Sequence, residues 1–293
     1  MNRVLAALAL GAGLSFPLSA NAAPRTIQLD AATATVTGSG TRAVLLLPGL
    51  GCGPYEFDGI APALAQTYTV YSLRFAGFDG AAPVKGPYLD AFAKSVTDLI
   101  AREHLQKPIL IGHSLGGHLA LRVAASIPSN VAGVLAIDAV PLFPLPQPGE
   151  TPETRRKGAA AYRDALLAVP DDAYAAQAKL FIAQLVTAPE NVALVAQHNA
   201  ASDRATIAGA SFEMAVDDLG PSLARIGAPI EVLAPAPDEA QAKAYAAFYT
   251  GLYQGAPHVH VDAIAPSKHF IMYDQPEKFA AAVNAFLAAL NGP

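Results

Sequence analysis

The chain has 293 residues, of which 53% are hydrophobic and only 15% charged, with a formal net charge of -5. That balance excludes a disordered chain and gives enough length for one large core. No basic run offers a footprint for nucleic acid. Cys52 is the only cysteine, so no internal disulfide forms, and clustered zinc-ligand spacing is absent.

The start of the chain reads as an export signal. Met1-Asn2-Arg3 is a short positive segment, Val4 to Phe16 is apolar, and Ala20-Asn21-Ala22 is an A-x-A cleavage site. Residues 1–22 are expected to be removed, leaving a secreted or periplasmic protein with no stable membrane insertion. The apolar run is too short to span a bilayer comfortably.

Residues 25–37 alternate as an edge strand or hairpin does, and Gly38-Ser39-Gly40 ends them. Ala43-Val44-Leu45-Leu46-Leu47 is uninterrupted apolar sequence stopped by Pro48-Gly49, the pattern of a strand buried on both faces. Residues 68–75 make another strand. Tyr88, Phe92, Val96 and Leu99 fall at helical spacing, which predicts a helix over 87–104. A strand over 108–111, a helix over 115–125 and a strand over 131–137 follow. This strand–helix–strand rhythm predicts an α/β fold: a mostly parallel sheet with helices on both faces.

The rhythm then stops. Five prolines punctuate 141–152, and 153–218 is Ala-rich with no strand pattern. We expect three or four inserted helices there. Strand pattern resumes at Pro229-Ile230-Glu231-Val232-Leu233, with a helix over 239–252 and a strand over 258–264. The last helix aligns Phe279, Val283, Phe286 and Leu290. The expected organisation is a core of 23–140 and 219–293, with a helical cap at 141–218.

Gly112-His113-Ser114-Leu115-Gly116 lies between a strand and a helix, and it fits G-x-S-x-G in the context that motif requires. The turn is strained, and a side chain at either glycine crowds neighbouring backbone. Gly117 lets the helix approach the sheet. Ser114 is thereby lifted above the carboxyl edge of the sheet, at a helix N-terminus that favours negative charge. A serine hydroxyl still needs a base. His269, in the loop between the last strand and the last helix, is the candidate. His113 adjoins the nucleophile and is read as supporting the turn. His104, His118, His198, His258 and His260 sit on or beside regular elements elsewhere.

The base needs a carboxylate to fix its tautomer. Asp238 follows the strand 229–233 at the same sheet edge as Ser114, and it is the expected acid. Asp138, at the end of the strand after the nucleophile helix, is its rival, while Asp262 lies within a strand. An oxyanion needs preorganised donors. The backbone N–H of Leu115 supplies one, and that of Leu50, in the glycine-rich loop after the first buried strand, supplies the second. That loop matches neither dinucleotide nor P-loop spacing. Cys52 is read as a small pocket-lining residue.

"LLLPGLG", "GHSLGG" and "KHFIMYDQPEKFAAAVNAFL" together resemble the oxyanion loop, nucleophile elbow and histidine loop of the α/β-hydrolase superfamily. The resemblance runs from about Thr41 to the C-terminus. It implies a central sheet of up to eight mostly parallel strands and a helical cap after strand six. Two departures stand out. Pro48 replaces the usual histidine, and Pro235-Ala236-Pro237-Asp238 lacks the glycine of the usual Gly-x-x-Asp acid loop. Serine at the elbow argues against the family's epoxide hydrolases and haloalkane dehalogenases.

The expected activity is that of a serine hydrolase cleaving a small or medium carboxylic ester, or a related acyl compound, through an acyl-enzyme. It calls for no metal and no organic cofactor, and its partner is a small acyl substrate. An aminopeptidase, a lactonase, a carbon–carbon bond hydrolase or an acyltransferase use the same chemistry. A non-catalytic binding protein on the same fold is the alternative from another class. Tyr162, Leu166, Leu167, Tyr174, Leu180, Phe181, Leu185 and Met214 give the insert apolar faces. A minority of them is expected to line the cavity.

Overall fold

The computed structural model describes residues 23–292. The proposed signal segment lies outside the described residues. The hairpin at the start is β1 (Arg25–Gln28) and β2 (Ala32–Thr37). Next come β3 (Ala43–Leu47), α1 (Ala61–Leu64), β4 (Thr69–Phe75), α2 (Tyr88–Arg102), β5 (Ile109–His113), α3 (Leu115–Ser126) and β6 (Gly133–Ile137). Four helices follow: α4 (Pro152–Ala168), α5 (Asp171–Leu185), α6 (Pro189–Ala200) and α7 (Arg204–Val216). The chain closes with β7 (Ile230–Pro235), α8 (Glu239–Leu252), β8 (Val259–Ile264), α9 (Ile271–Asp274) and α10 (Pro276–Asn291).

The eight strands form one sheet in the order β1-β2-β4-β3-β5-β6-β7-β8. β1, β2 and β4 pair antiparallel, and every pairing from β4 through β8 is parallel. The uninterrupted apolar runs of β3, β5 and β6 are explained by burial on both faces. Leu45 and Leu47 join one core with α2 and α3, while Val44 and Leu46 join the other with α1 and α10. Side chains alternate across a strand, so a strand covered on both sides favours apolar residues at successive positions. β8, at the sheet edge, shows the alternating exposure of a strand with one open face.

The inserted helices are thin. Among their described residues α4 buries none fully, α5 only Ile182 and α6 only Val195, whereas α7 buries six. α4 packs on α7, α5 packs on α6, and α7 also meets α2. Residues of α4, α5, α6 and α7 line one cavity with the residues that follow β3, β5 and β6. Among the described residues no helix is long and apolar enough to cross a membrane.

Candidate active site

β5 ends at His113, and Ser114 takes φ 51°, ψ -119°, a left-handed conformation costly for a residue with a side chain. The surrounding structure enforces it. The Ser114 N–H donates to the Ile137 carbonyl at 2.9 Å, and the Ser114 carbonyl accepts from the His118 N–H at 3.0 Å. The flanking glycines are required by space. A Cβ on Gly112 would lie 2.3 Å from the Gly116 carbonyl oxygen, and one on Gly116 would lie 2.0 Å from that of Leu47. A Cβ on Gly117 would meet that of Ala139 at 2.4 Å. Leu115 opens α3, so its N–H has no carbonyl one turn back to bond.

His269 lies between β8 and α9. Its loop is held by the Phe270 N–H, which donates to the Leu185 carbonyl at 3.1 Å, and by the Lys268 N–H, which donates to Asp274 at 2.8 Å. The His269 Nδ1 lies 2.5 Å from Oδ2 of Asp138. A carboxylate accepts, so Nδ1 carries a proton, and in the neutral imidazole Nε2 is left as an acceptor. The other Asp138 oxygen accepts from the Tyr249 hydroxyl. Burial alone would raise the Asp138 pKa, but the His269 charge and hydrogen bond, with help from Tyr249, hold it below the ordinary carboxylate value. Burial, with Asp138 beside it, pushes the Tyr249 phenol well up, so Tyr249 stays a donor.

The expected acid is therefore corrected. Asp238 is exposed and caps α8. It accepts from the Gln241 backbone N–H at 2.9 Å and from the Gln241 side chain at 2.6 Å. The carboxylate that meets His269 belongs to Asp138, which itself sits at φ 39° just past β6. Tyr249, on α8, is a second group that the sequence reading missed.

Three of the remaining histidines bond carboxylates elsewhere. His118 bonds Asp217 at 3.0 Å, His198 bonds Asp79 at 2.6 Å, and His260 pairs with Glu231 across β7 and β8 at 3.0 Å. His113 is buried and reaches the His269 carbonyl at 3.1 Å, consistent with a supporting place beside the turn. Cys52 is buried, and burial with Glu56 nearby holds its thiol well above its usual pKa, so it stays protonated.

Ser114, His269 and Asp138 line one cavity of about 600 Å³, together with Leu50 and Cys52. Among the described residues Asp138 is its only carboxylate, and no Lys or Arg lines it. From the insert, Tyr162, Leu166, Tyr174, Phe181, Leu185 and Met214 face the cavity. That is most of the eight apolar residues considered, not a minority. Leu167 and Leu180 are instead left exposed.

A model of the alpha/beta hydrolase family matches residues 44–282. The chain belongs to the alpha/beta hydrolase family. Among solved structures, this alpha/beta hydrolase superimposes on a hydrolase from Pseudomonas aeruginosa with a TM-score of 0.73, at 21% identity over 90% of this chain and 98% of that one. At that identity the likeness establishes the fold. It is also similar to a pimeloyl-[acyl-carrier protein] methyl ester esterase from Aromatoleum aromaticum, 32% identical over 100 residues, or 34% of this chain and 38% of the relative. A fluoroacetate dehalogenase from a Burkholderia species is 29% identical over 114 residues, 37% and 38% of the two chains. Across the curated relatives that the chain matches, the aligned stretch spans 30% to 41% of their own length.

Proposed function

We propose that this alpha/beta hydrolase is a serine hydrolase acting on an uncharged carboxylic ester or a related acyl compound. Ser114 attacks the acyl carbon, and His269 Nε2 takes the hydroxyl proton. Asp138 holds the imidazole in the required tautomer and steadies the imidazolium. The backbone N–H groups of Leu50 and Leu115 receive the oxyanion. His269 then returns the proton to the leaving oxygen, and water repeats the sequence in reverse to release the acid. The helices of 141–218 act as a cap over this site, and residues 1–22 direct export.

The observation that carries the reading is the His269–Asp138 pair opening into the same cavity as a serine held at a strained turn. The relatives include both an esterase and a dehalogenase by name, and serine at the elbow favours the esterase side. Asp138 and the histidines apart, the cavity is lined by apolar and uncharged polar side chains among the described residues, which favours a substrate without a carboxylate or ammonium group. The test is incubation with a fluorophosphonate followed by mass mapping. A single adduct on Ser114, abolished by Ser114→Ala and by His269→Ala, is expected. An unmodified Ser114 under conditions that label a control serine esterase overturns the proposal.

A further inference from the structure

Directly behind the reacting groups lies a second histidine–carboxylate pair. Glu56 sits in the short 3-10 turn Pro54–Phe57, just after the oxyanion loop, and is 1% exposed. One of its oxygens accepts from the Gly49 N–H at 2.8 Å, and the other lies 2.9 Å from Nδ1 of His113. His113 is also fully buried, and its Nε2 lies 3.1 Å from the carbonyl oxygen of His269. Thus one carboxylate links three segments that are far apart in sequence: the loop carrying Leu50, the turn carrying Ser114 and the loop carrying His269.

The hydrogen bonds also locate the protons. A carbonyl oxygen only accepts, so His113 Nε2 carries a proton. On the Nδ1 side one proton is shared with Glu56. The Gly49 N–H donating to the other oxygen favours the carboxylate, which leaves His113 as the imidazolium. Burial works against that charge, yet Glu56 raises the His113 pKa above its usual value. Cys52, Tyr55 and Tyr273 are the other titratable side chains close to Glu56, and burial raises the pKa of each, so they stay neutral. Packing is tight here: a Cβ on Gly49 would fall 3.1 Å from His113 Nδ1 and 3.3 Å from Glu56.

A buried carboxylate is an expensive way to fill space where leucine would serve. We infer that Glu56 is a positioning residue for the proposed hydrolysis, setting through Gly49 and His113 the separation between the oxyanion donors and the His269 imidazole. It touches neither substrate nor reacting atoms. This inference rests on the serine hydrolase reading.

Glutamine and aspartate at this position separate positioning from bulk stability. In Glu56→Gln the amide oxygen accepts from Gly49 and the amide N–H donates to a neutral His113, so every link survives without charge. Glu56→Asp keeps the charge but is one methylene short of spanning both partners. The experiment follows fluorophosphonate acylation of Ser114 and steady-state ester hydrolysis in wild type, Glu56→Gln, Glu56→Asp and Glu56→Leu. Expected is a loss of about 100-fold in kcat and in acylation rate for Asp and Leu, with KM nearly unchanged. Glutamine is expected to recover most of that loss. A low-field N–H proton resonance for His113, seen in wild type and lost in Glu56→Leu, reports the link without reference to turnover.

If Glu56→Leu does not fold, the comparison of Gln with Asp decides. Equal kcat in Asp and wild type overturns the inference, as does a fall in melting temperature with kcat and acylation unchanged. Failure of wild type to label at Ser114 is a different result. It overturns the hydrolase reading itself.

Discussion

The imidazole of His269 and the carboxylate of Asp138 meet at 2.5 Å although 131 positions separate them in the chain. Two strand ends bring them together: Asp138 leaves the carboxyl end of β6, and His269 follows β8. Asp138→Asn is expected to lower kcat by about four orders of magnitude, because an amide N–H donates to Nδ1 and forces the wrong tautomer. Asp238→Ala, by contrast, removes only a helix cap. It is expected to lower the melting temperature slightly and leave kcat intact. Steady-state kinetics on both variants, with thermal melts, checks the assignment. A larger loss of kcat in Asp238→Ala than in Asp138→Asn sinks it.

Much of this is legible in the sequence alone. The apolar runs of β3, β5 and β6, the G-x-S-x-G turn and the histidine before the last helix each have a local physical signature. The acid does not. Both aspartates follow a strand, and both satisfy the chain order of nucleophile, acid, base. Two signals pointed the right way. Asp238-Glu239-Ala240-Gln241 is a helix-start pattern, with a capping aspartate and a glutamine three residues on. The missing glycine of the usual acid loop fits the same conclusion. Glu56 left no signal at all, since a single glutamate between Tyr55 and Phe57 reads as surface until tertiary packing shows it buried.

The elbow makes a stability prediction. Gly116→Ala drives a methyl to within 2.0 Å of the Leu47 carbonyl oxygen, and the clash is with backbone that cannot rotate away. The expected cost is about 3 kcal/mol or more. Gly158 in α4 is the control. A Cβ there meets nothing within 4 Å, so Gly158→Ala is expected to stabilise by about 0.5 to 1 kcal/mol. Denaturant unfolding of both variants tests this. Equal stabilities would contradict the packing described at the turn.

The pair behind the site gives stability a pH dependence. The His113 pKa is raised in the folded state, chiefly by Glu56 against the opposing effect of burial, with Asp138 adding to it. A raised histidine contributes stability that is fully present below its unfolded value of about 6.5, and that contribution is lost as pH rises through the folded value. The wild-type melting temperature is therefore expected to decline more steeply above about pH 6.5 than that of Glu56→Gln, which lacks the carboxylate that raises the His113 pKa. Parallel melting curves across that window, with the same slope in both proteins, would show that the pair is not charged.

Substrate choice follows from what faces Ser114. The cavity volume of about 600 Å³ lies within the range of small-molecule sites. Its insert side is made of Tyr162, Leu166, Tyr174, Phe181, Leu185 and Met214, with Gln177, Asn199 and Ser211 as scattered uncharged polar groups. Each acyl methylene buried there contributes about 0.8 kcal/mol, or about four-fold in kcat/KM. The rate is expected to climb from acetyl through butyryl to octanoyl esters. It is expected to fall at palmitoyl, where the chain outgrows the roofed space. A succinyl ester should lag well behind butyryl, because its free carboxylate finds no Lys or Arg and would lie beside Asp138. Phe181 is more than half exposed at 58% and still lines the cavity, so it borders both solvent and the space proposed for the acyl chain. Phe181→Asp is expected to lower the octanoyl rate more than the acetyl rate. Measuring kcat/KM across this series, with an amino-acyl amide alongside, resolves the alternatives. Fastest turnover of palmitoyl means that the inserted helices move aside for long chains. Fastest turnover of the amino-acyl amide replaces the esterase reading with an aminopeptidase.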